Sequence, residues 1–148
     1  MNAVPPAYVG FWARVGAMLI DTVWTTPLLV PVLALLFGGW RYITPERLVE
    51  SSASMSEQLI LFGALGVLVL PFWFRRRATP GKMAIGARIV DARTLGEPSP
   101  RQLVVRYLGY FVSMLPLFLG LLWVAFDRRK QGWHDKLAGT VVVVDGDD

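Results

Sequence analysis

Two stretches of this chain run too long without a charge to suit most folds that live in water. Gln58 to Phe74 is seventeen residues without a charged side chain, and Tyr107 to Phe126 is twenty. A helix needs about 20 apolar residues to cross the hydrocarbon core of a bilayer, with about 17 as the lower limit. A third stretch, Phe11 to Gly39, carries only Arg14 and Asp21. A soluble bundle would place a polar stripe at the helical period on each helix. Leu59 to Phe74 has none, since Leu, Ile, Val, Phe and Trp cover every face. Composition agrees: 54% of residues are hydrophobic and 18% charged, against about 25% charged in an average soluble domain. The 148 residues leave room for a single domain, so residues 1–148 are read as one membrane domain.

The formal net charge is +4 and the pI about 9.9. A basic chain invites a nucleic-acid partner, but the cations stand beside the apolar runs, at Arg75-Arg76-Arg77 and Arg128-Arg129-Lys130. Cytoplasmic flanks of membrane helices have that composition, so the expected partners are the bilayer and its anionic lipid, with no nucleic acid. Cysteine is absent, which removes disulfides, thiol nucleophiles and thiolate metal sites. No cleaved signal is expected, because Asp21 interrupts the apolar stretch where its core would lie.

The first span is expected over residues 10–37, with a kink at Pro27 and Pro31, and the second over residues 57–74. Residues 40–57 read as a polar connection. Residues 83–91 (MAIGARIVD) and 140–145 (TVVVVD) are short and β-branched, and read as strands. Each leaves its backbone unpaired alone, so a small cytoplasmic two-stranded β element is the economical reading. The residues around Thr79-Pro80-Gly81-Lys82 read as a turn, since the earlier glycine and following Ser or Thr of a phosphate loop are missing. If the strands pair, the third apolar segment, residues 103–126, returns to its starting side. Pro116 near its middle supports a re-entrant or interfacial hairpin, with a plain third span as the alternative. The fold class is therefore a mainly α-helical membrane protein with two transmembrane helices and this third segment. The expected setting is a membrane that the chain crosses more than once, with the N-terminus cytoplasmic.

Arg14 and Asp21 lie seven residues apart, nearly on one helix face and roughly 10 Å apart. That is too far for an intrahelical ion pair. By rise alone Asp21 falls near mid-membrane, where a charge costs at least about 2.5–3.5 kcal/mol and must face protein or water. Arg106, at the head of the third segment, is its candidate cation. The functional reading is an ion-binding or charge-relay carboxylate, and the structural one a clamp between helices. His134-Asp135-Lys136 forms a second cluster, expected at the membrane surface. One histidine and no cysteine make a metal site improbable, and no nucleophile–base pair marks a catalytic site.

At these residues the chain resembles the RDD family of bacterial membrane proteins, named for one arginine and two aspartates. The likeness begins at GFWARVGAMLID, continues through ATPGKMAIGARIVDARTLGEPSPRQLVVRYL and closes at FDRRKQGWHDKLAGTVVV. Arg14 and Asp21 fit the first two residues of the name and Asp135 the third, with Asp127 as a rival. The resemblance implies a mostly uncharacterised family suspected of transport, with members proposed as sodium/proton antiporters. Two expectations follow. One is ion-coupled transport of a proton or monovalent cation by a homo-oligomer, since two or three segments are too few to enclose a path. The other is a non-transporting scaffold or accessory subunit whose Arg and Asp residues are structural. No enzyme activity and no cofactor are expected. The ionisable candidates are Arg14, Asp21, Arg106, Asp127, His134 and Asp135.

Overall fold

A computed structural model describes residues 6–37 and 55–145 of the chain. The polar connection expected over residues 40–57 falls almost wholly outside the described residues. Two long helices dominate: α1 (Phe11–Phe37) and α2 (Met55–Arg76). Both are long and apolar enough to cross a bilayer. Helix α1 is assigned as one element through Pro27 and Pro31. At 1.5 Å per residue its 27 residues extend about 40 Å, more than the roughly 30 Å hydrocarbon core requires.

After α2 the chain makes a short helix, α3 (Pro80–Ala84), where a turn and then a strand were expected. The local chemistry explains the difference. Thr79 is an extended N-cap whose hydroxyl accepts from Lys82 N–H, and Pro80 follows with its φ already set for a helix. The strand is thereby shortened to β1 (Ala87–Asp91). It pairs antiparallel with β2 (Thr140–Val144), from Ala87 opposite Val144 to Asp91 opposite Thr140. The segment before α1 adds a third participant. Tyr8 bridges Val143, Val9 N–H donates to Val142 O, and Val144 N–H to Ala7 O. Strand β2 is therefore central, which is why Val141, Val142 and Val143 are all buried.

Between the strands lie α4 (Pro100–Met114), α5 (Leu119–Leu122) continued as a 3₁₀ turn at Trp123–Ala125, and α6 (Trp133–Ala138). Helix α4 starts in a reciprocal box: Ser99 Oγ accepts from Gln102 N–H while the Gln102 side chain accepts from Ser99 N–H. The third apolar segment is thus two helices meeting at 114°, with the break at Leu115–Phe118. Pro116 interrupts the ladder, and Leu117 and Phe118 take left-handed φ values of 50° and 61°. The amides of Leu115, Phe118, Leu119, Leu121 and Leu122 nonetheless all find backbone carbonyls nearby. A bend so satisfied internally tolerates apolar surroundings. The returning arm closes tightly, since a Cβ on Gly120 would stand 2.7 Å from Ser113 Cα.

One core cluster joins Val9, Trp73, Ala87, Ile89, Leu103 and Val142. Trp73 is 2% exposed; residues of the sheet and of α4 cover it. Helix α4 leans along α2, with Tyr107 and Phe111 rings 4.5 and 5.8 Å from Phe62. Replacing Gly120 with Ala forces the hairpin arms apart, and the expected loss is about 1–3 kcal/mol. Chemical unfolding in detergent, with secondary structure retained at zero denaturant, measures it.

Candidate functional site

Asp135 sits at N3 of α6, and its carboxylate is fully buried. Through Oδ2 it accepts from Gly132 N–H at 3.0 Å, which ties down the start of its own helix. The same oxygen meets Arg14 Nη1 at 2.7 Å, and Oδ1 meets Arg106 Nη1. Arg106 Nη1 also donates to Thr140 Oγ1 at 2.9 Å. Arg14 spends its other nitrogens on backbone carbonyls, Val9 O at 3.1 Å and Lys130 O at 2.6 Å. One carboxylate thus binds α1, α4, α6 and β2 together. Two guanidinium groups on one buried carboxylate form a network whose loss of any member strands a charge.

Asp21 makes a separate junction. Its Oδ2 accepts from Thr79 Oγ1 at 2.5 Å, and Oδ1 accepts from Gly81 N–H at 2.8 Å and Trp24 Nε1 at 3.0 Å. Gly81 permits the contact because a Cβ there would lie 2.0 Å from Ala17 O and 2.8 Å from Asp21 Cγ. The cation expected for Asp21 was Arg106, and that assignment is corrected: Arg106 serves Asp135, while Asp21 is held by neutral donors. Its place relative to α2 follows from a second contact. Trp24 packs on Phe72 with ring centroids 5.2 Å apart. Since the two helices lie side by side at that contact and run in opposite directions, Asp21 stands level with Arg75, at the basic end of α2.

His134 and Asp135, expected at the membrane surface, are buried at 2% and 0% exposure. His134 stacks on Tyr110 with centroids 4.0 Å apart and planes inclined by 16°. Its Nδ1 lies 3.4 Å from Ser113 Oγ. Its Nε2 lies 3.4 Å from Asp135 Oδ2 without hydrogen-bond geometry. Burial holds its pKa well below the usual histidine value, and the charges of Arg106, Arg14 and Lys82 push it the same way. Asp127 belongs elsewhere. It organises the basic loop, pairing with Lys136 Nζ at 2.5 Å and accepting from the Arg129 and Gln131 amides. Partial burial opposes its charge, but the Lys136 contact and those amides outweigh it and hold the carboxyl below the ordinary range.

Of the six sequence candidates, then, Arg14, Arg106, His134 and Asp135 converge, Asp21 forms a neighbouring junction, and Asp127 lies in the loop. The sequence reading missed Thr79 and Gly81 as partners of Asp21, and Thr140 as a partner of Arg106. The Thr-Pro pair, a cap followed by a helix-starting proline, is the signal that marks the first of these. Among the described residues no group of three or more His, Asp or Glu side chains gathers as metal ligands would.

The carboxylates that bind this fold together are those picked out by the family resemblance. The profile of the RDD family matches residues 8–139. The chain belongs to the RDD family. An uncharacterized membrane protein of Bacillus subtilis (strain 168), YteJ, is 30% identical over 142 residues, covering 93% of this chain and 81% of that one. An uncharacterized protein of Rickettsia prowazekii (strain Madrid E), RP437, is 37% identical over 89 residues. That likeness covers 57% of this chain and 49% of the Rickettsia protein, so the chain spans about half of that relative's length. No solved structure matches. This is an RDD membrane protein, and Arg14, Asp21 and Asp135 are the residues that pin α1 to the helices and strands around it.

Asp135→Asn leaves two buried guanidinium groups without their counter-ion. The expected cost is about 3–5 kcal/mol, read as a fall in unfolding temperature or in folded yield from membranes. His134 supplies a pH dependence of definite sign. It faces Tyr110, Asp135 and Ser113, with the Arg106, Arg14 and Lys82 charges near, and stays neutral in the fold. An unfolded histidine takes up a proton below about pH 6.5, a proton that the folded state refuses. Stability therefore falls as the pH drops through and below that value. Thermal unfolding between about pH 7.5 and 5.5 shows this slope in the wild type and a flatter one in His134→Gln.

Proposed function

We propose that this RDD protein is a non-transporting membrane scaffold or accessory subunit, in which the Arg and Asp residues are architectural. One observation carries the reading: both oxygens of Asp21 and of Asp135 already bind donors from the chain itself. A relay carboxylate must exchange its partners with a path open to ions. Here Asp21 holds a threonine hydroxyl, a glycine amide and an indole N–H, and releasing them would undock α3 from α1. The reading assigns no reaction to the chain.

In this proposal residues 103–126 form a re-entrant hairpin rather than a third span. The 114° bend, the backbone hydrogen bonds around its tip and the pairing of β1 with β2 all support entry and exit on one side. The segment before α1, both strands and the basic stretches Arg75–Arg77 and Arg128–Lys130 then share the cytoplasmic side of a bacterial inner membrane, as the positive-inside rule requires. Arg75, Arg76 and Arg128 are exposed there, available to anionic lipid or to a protein partner.

Everted vesicles carrying wild type or Asp21→Asn at matched levels test the reading. The expected result is no sodium- or potassium-dependent collapse of an imposed pH gradient in either, together with a lower unfolding temperature for Asp21→Asn. Cation-dependent collapse in wild type, absent from a stably folded Asp21→Asn, overturns the scaffold. It would establish ion-coupled transport, with a homo-oligomer to enclose the path.

A further inference from the structure

We infer that Arg106, Trp73, Tyr110 and Lys82 form a binding site for a monoanionic phosphate ester, the chemistry of a phospholipid headgroup. The argument starts from charge. Around the Asp135 junction, Arg14, Arg106 and Lys82 stand against Asp21 and Asp135, an excess of one positive charge in a largely desolvated place. Isolated buried charge is among the costliest things a fold can hold. The excess falls on Arg106, which is fully buried and shares one Nη1 with both Asp135 and Thr140.

Hydrogen bonding points the same way. Arg106 Nε and Nη2 are buried without a partner, and so is Trp73 Nε1. All three are donors only, so what they lack is an acceptor. They lie close together, the Arg106 guanidinium carbon standing 5.4 Å from the Trp73 ring centroid and 5.9 Å from that of Tyr110. Facing π surfaces offset part of the charge, and the Tyr110 hydroxyl interacts with the guanidinium without giving Nε or Nη2 a well-formed hydrogen bond. Lys82 Nζ stands 5.9 Å from the same Trp73 ring. Lys82 and Tyr110 are themselves only partly buried, and in this proposal the headgroup reaches Arg106 past them. Three donor groups and one surplus charge match an oxyanion carrying a single negative charge.

Position selects the class of oxyanion. Trp73 lies in the last turn of α2, beside Arg75–Arg77, where an apolar helix gives way to basic residues. Lipid phosphates occupy that depth on any membrane helix. The site differs from the exposed arginines, because its donors are enclosed rather than spread over a surface. It is also independent of whether the chain transports ions, so a failed lipid result and a failed vesicle result are read separately.

Native mass spectrometry of the full chain in dodecyl maltoside tests the inference. The probes are dioleoylphosphatidylglycerol, dioleoylglycerol as the same acyl chains without phosphate, and inorganic phosphate. The expected result is one tightly held phosphatidylglycerol per chain and no comparable retention of dioleoylglycerol. Lys82→Gln and Trp73→Phe, which leave the Arg106–Asp135 pair intact, each weaken that binding about tenfold. Arg101→Gln, exposed in the first turn of α4, leaves it unchanged. Displacement of the lipid by inorganic phosphate makes a free oxyanion the source and supports the same site. Binding that ignores the phosphate, or that survives both variants, or that falls equally with Arg101→Gln, overturns it.

Discussion

A carboxylate that must satisfy two guanidinium groups away from water has few places to be, and each partner fixes a different part of the chain around it. Asp135 reaches Arg14 on α1 and Arg106 on α4, and holds the first amide of its own helix. Arg106 carries the connection on to Thr140 at the start of β2. Arg14 carries it to the backbone of Val9 and Lys130. Removing one charge leaves the others desolvated and unpaired, so the cluster behaves as a unit. Such a network contributes less through net attraction than through the penalty on every arrangement that breaks it. The apolar surfaces here could slide against one another at little cost, whereas the Arg–Asp network admits one register.

Asp21 solves the companion problem, where a membrane helix meets the chain that leaves its neighbour. A carboxylate facing Thr79 and the Gly81 amide gives α3 a fixed seat against α1. The seat lies level with the basic end of α2, so the cost of a charge is met by donors at the margin of the apolar region. Helix α1 thereby has two zones. Its outer stretch is apolar and faces lipid, and its first three turns are built into the layer of short helices and strands.

Periodicity and charge-free length made α1, α2 and the break at Pro116 legible in the sequence, because a bilayer constrains length and composition over many consecutive residues. The pairing of β1 with β2 followed from the rule that a lone strand leaves its backbone unsatisfied. What stayed hidden depended on contacts between distant residues. Nothing local to Arg106 distinguishes Asp21 from Asp135 as its partner, and that choice is made by how α4 crosses α1 and α6. Nothing local to His134 reveals that Tyr110 and Ser113 will enclose it. The short helix after α2 was legible in Thr79-Pro80 but outweighed by the β-branched residues that follow. The docking of Tyr8 and Val9 onto β2 carries no mark within nine residues.

The separation of Arg14 from its counter-ion has a consequence for how the protein is made. The two residues lie 121 positions apart, and Arg106, within that span, lies 29 positions before the same carboxylate. A nascent chain delivers α1 and α2 to the bilayer long before the ribosome reaches residue 135. Until then Arg14 has only water and lipid phosphate to face. The early helices are therefore held by hydrophobicity and, once α3 has emerged, by the seat at Asp21, and the native register is sealed late, when α6 and β2 emerge and the growing chain can close on its own beginning. A product interrupted before that point would keep its membrane helices and carry two uncompensated arginines, a defect that a membrane protease could recognise without reading any sequence.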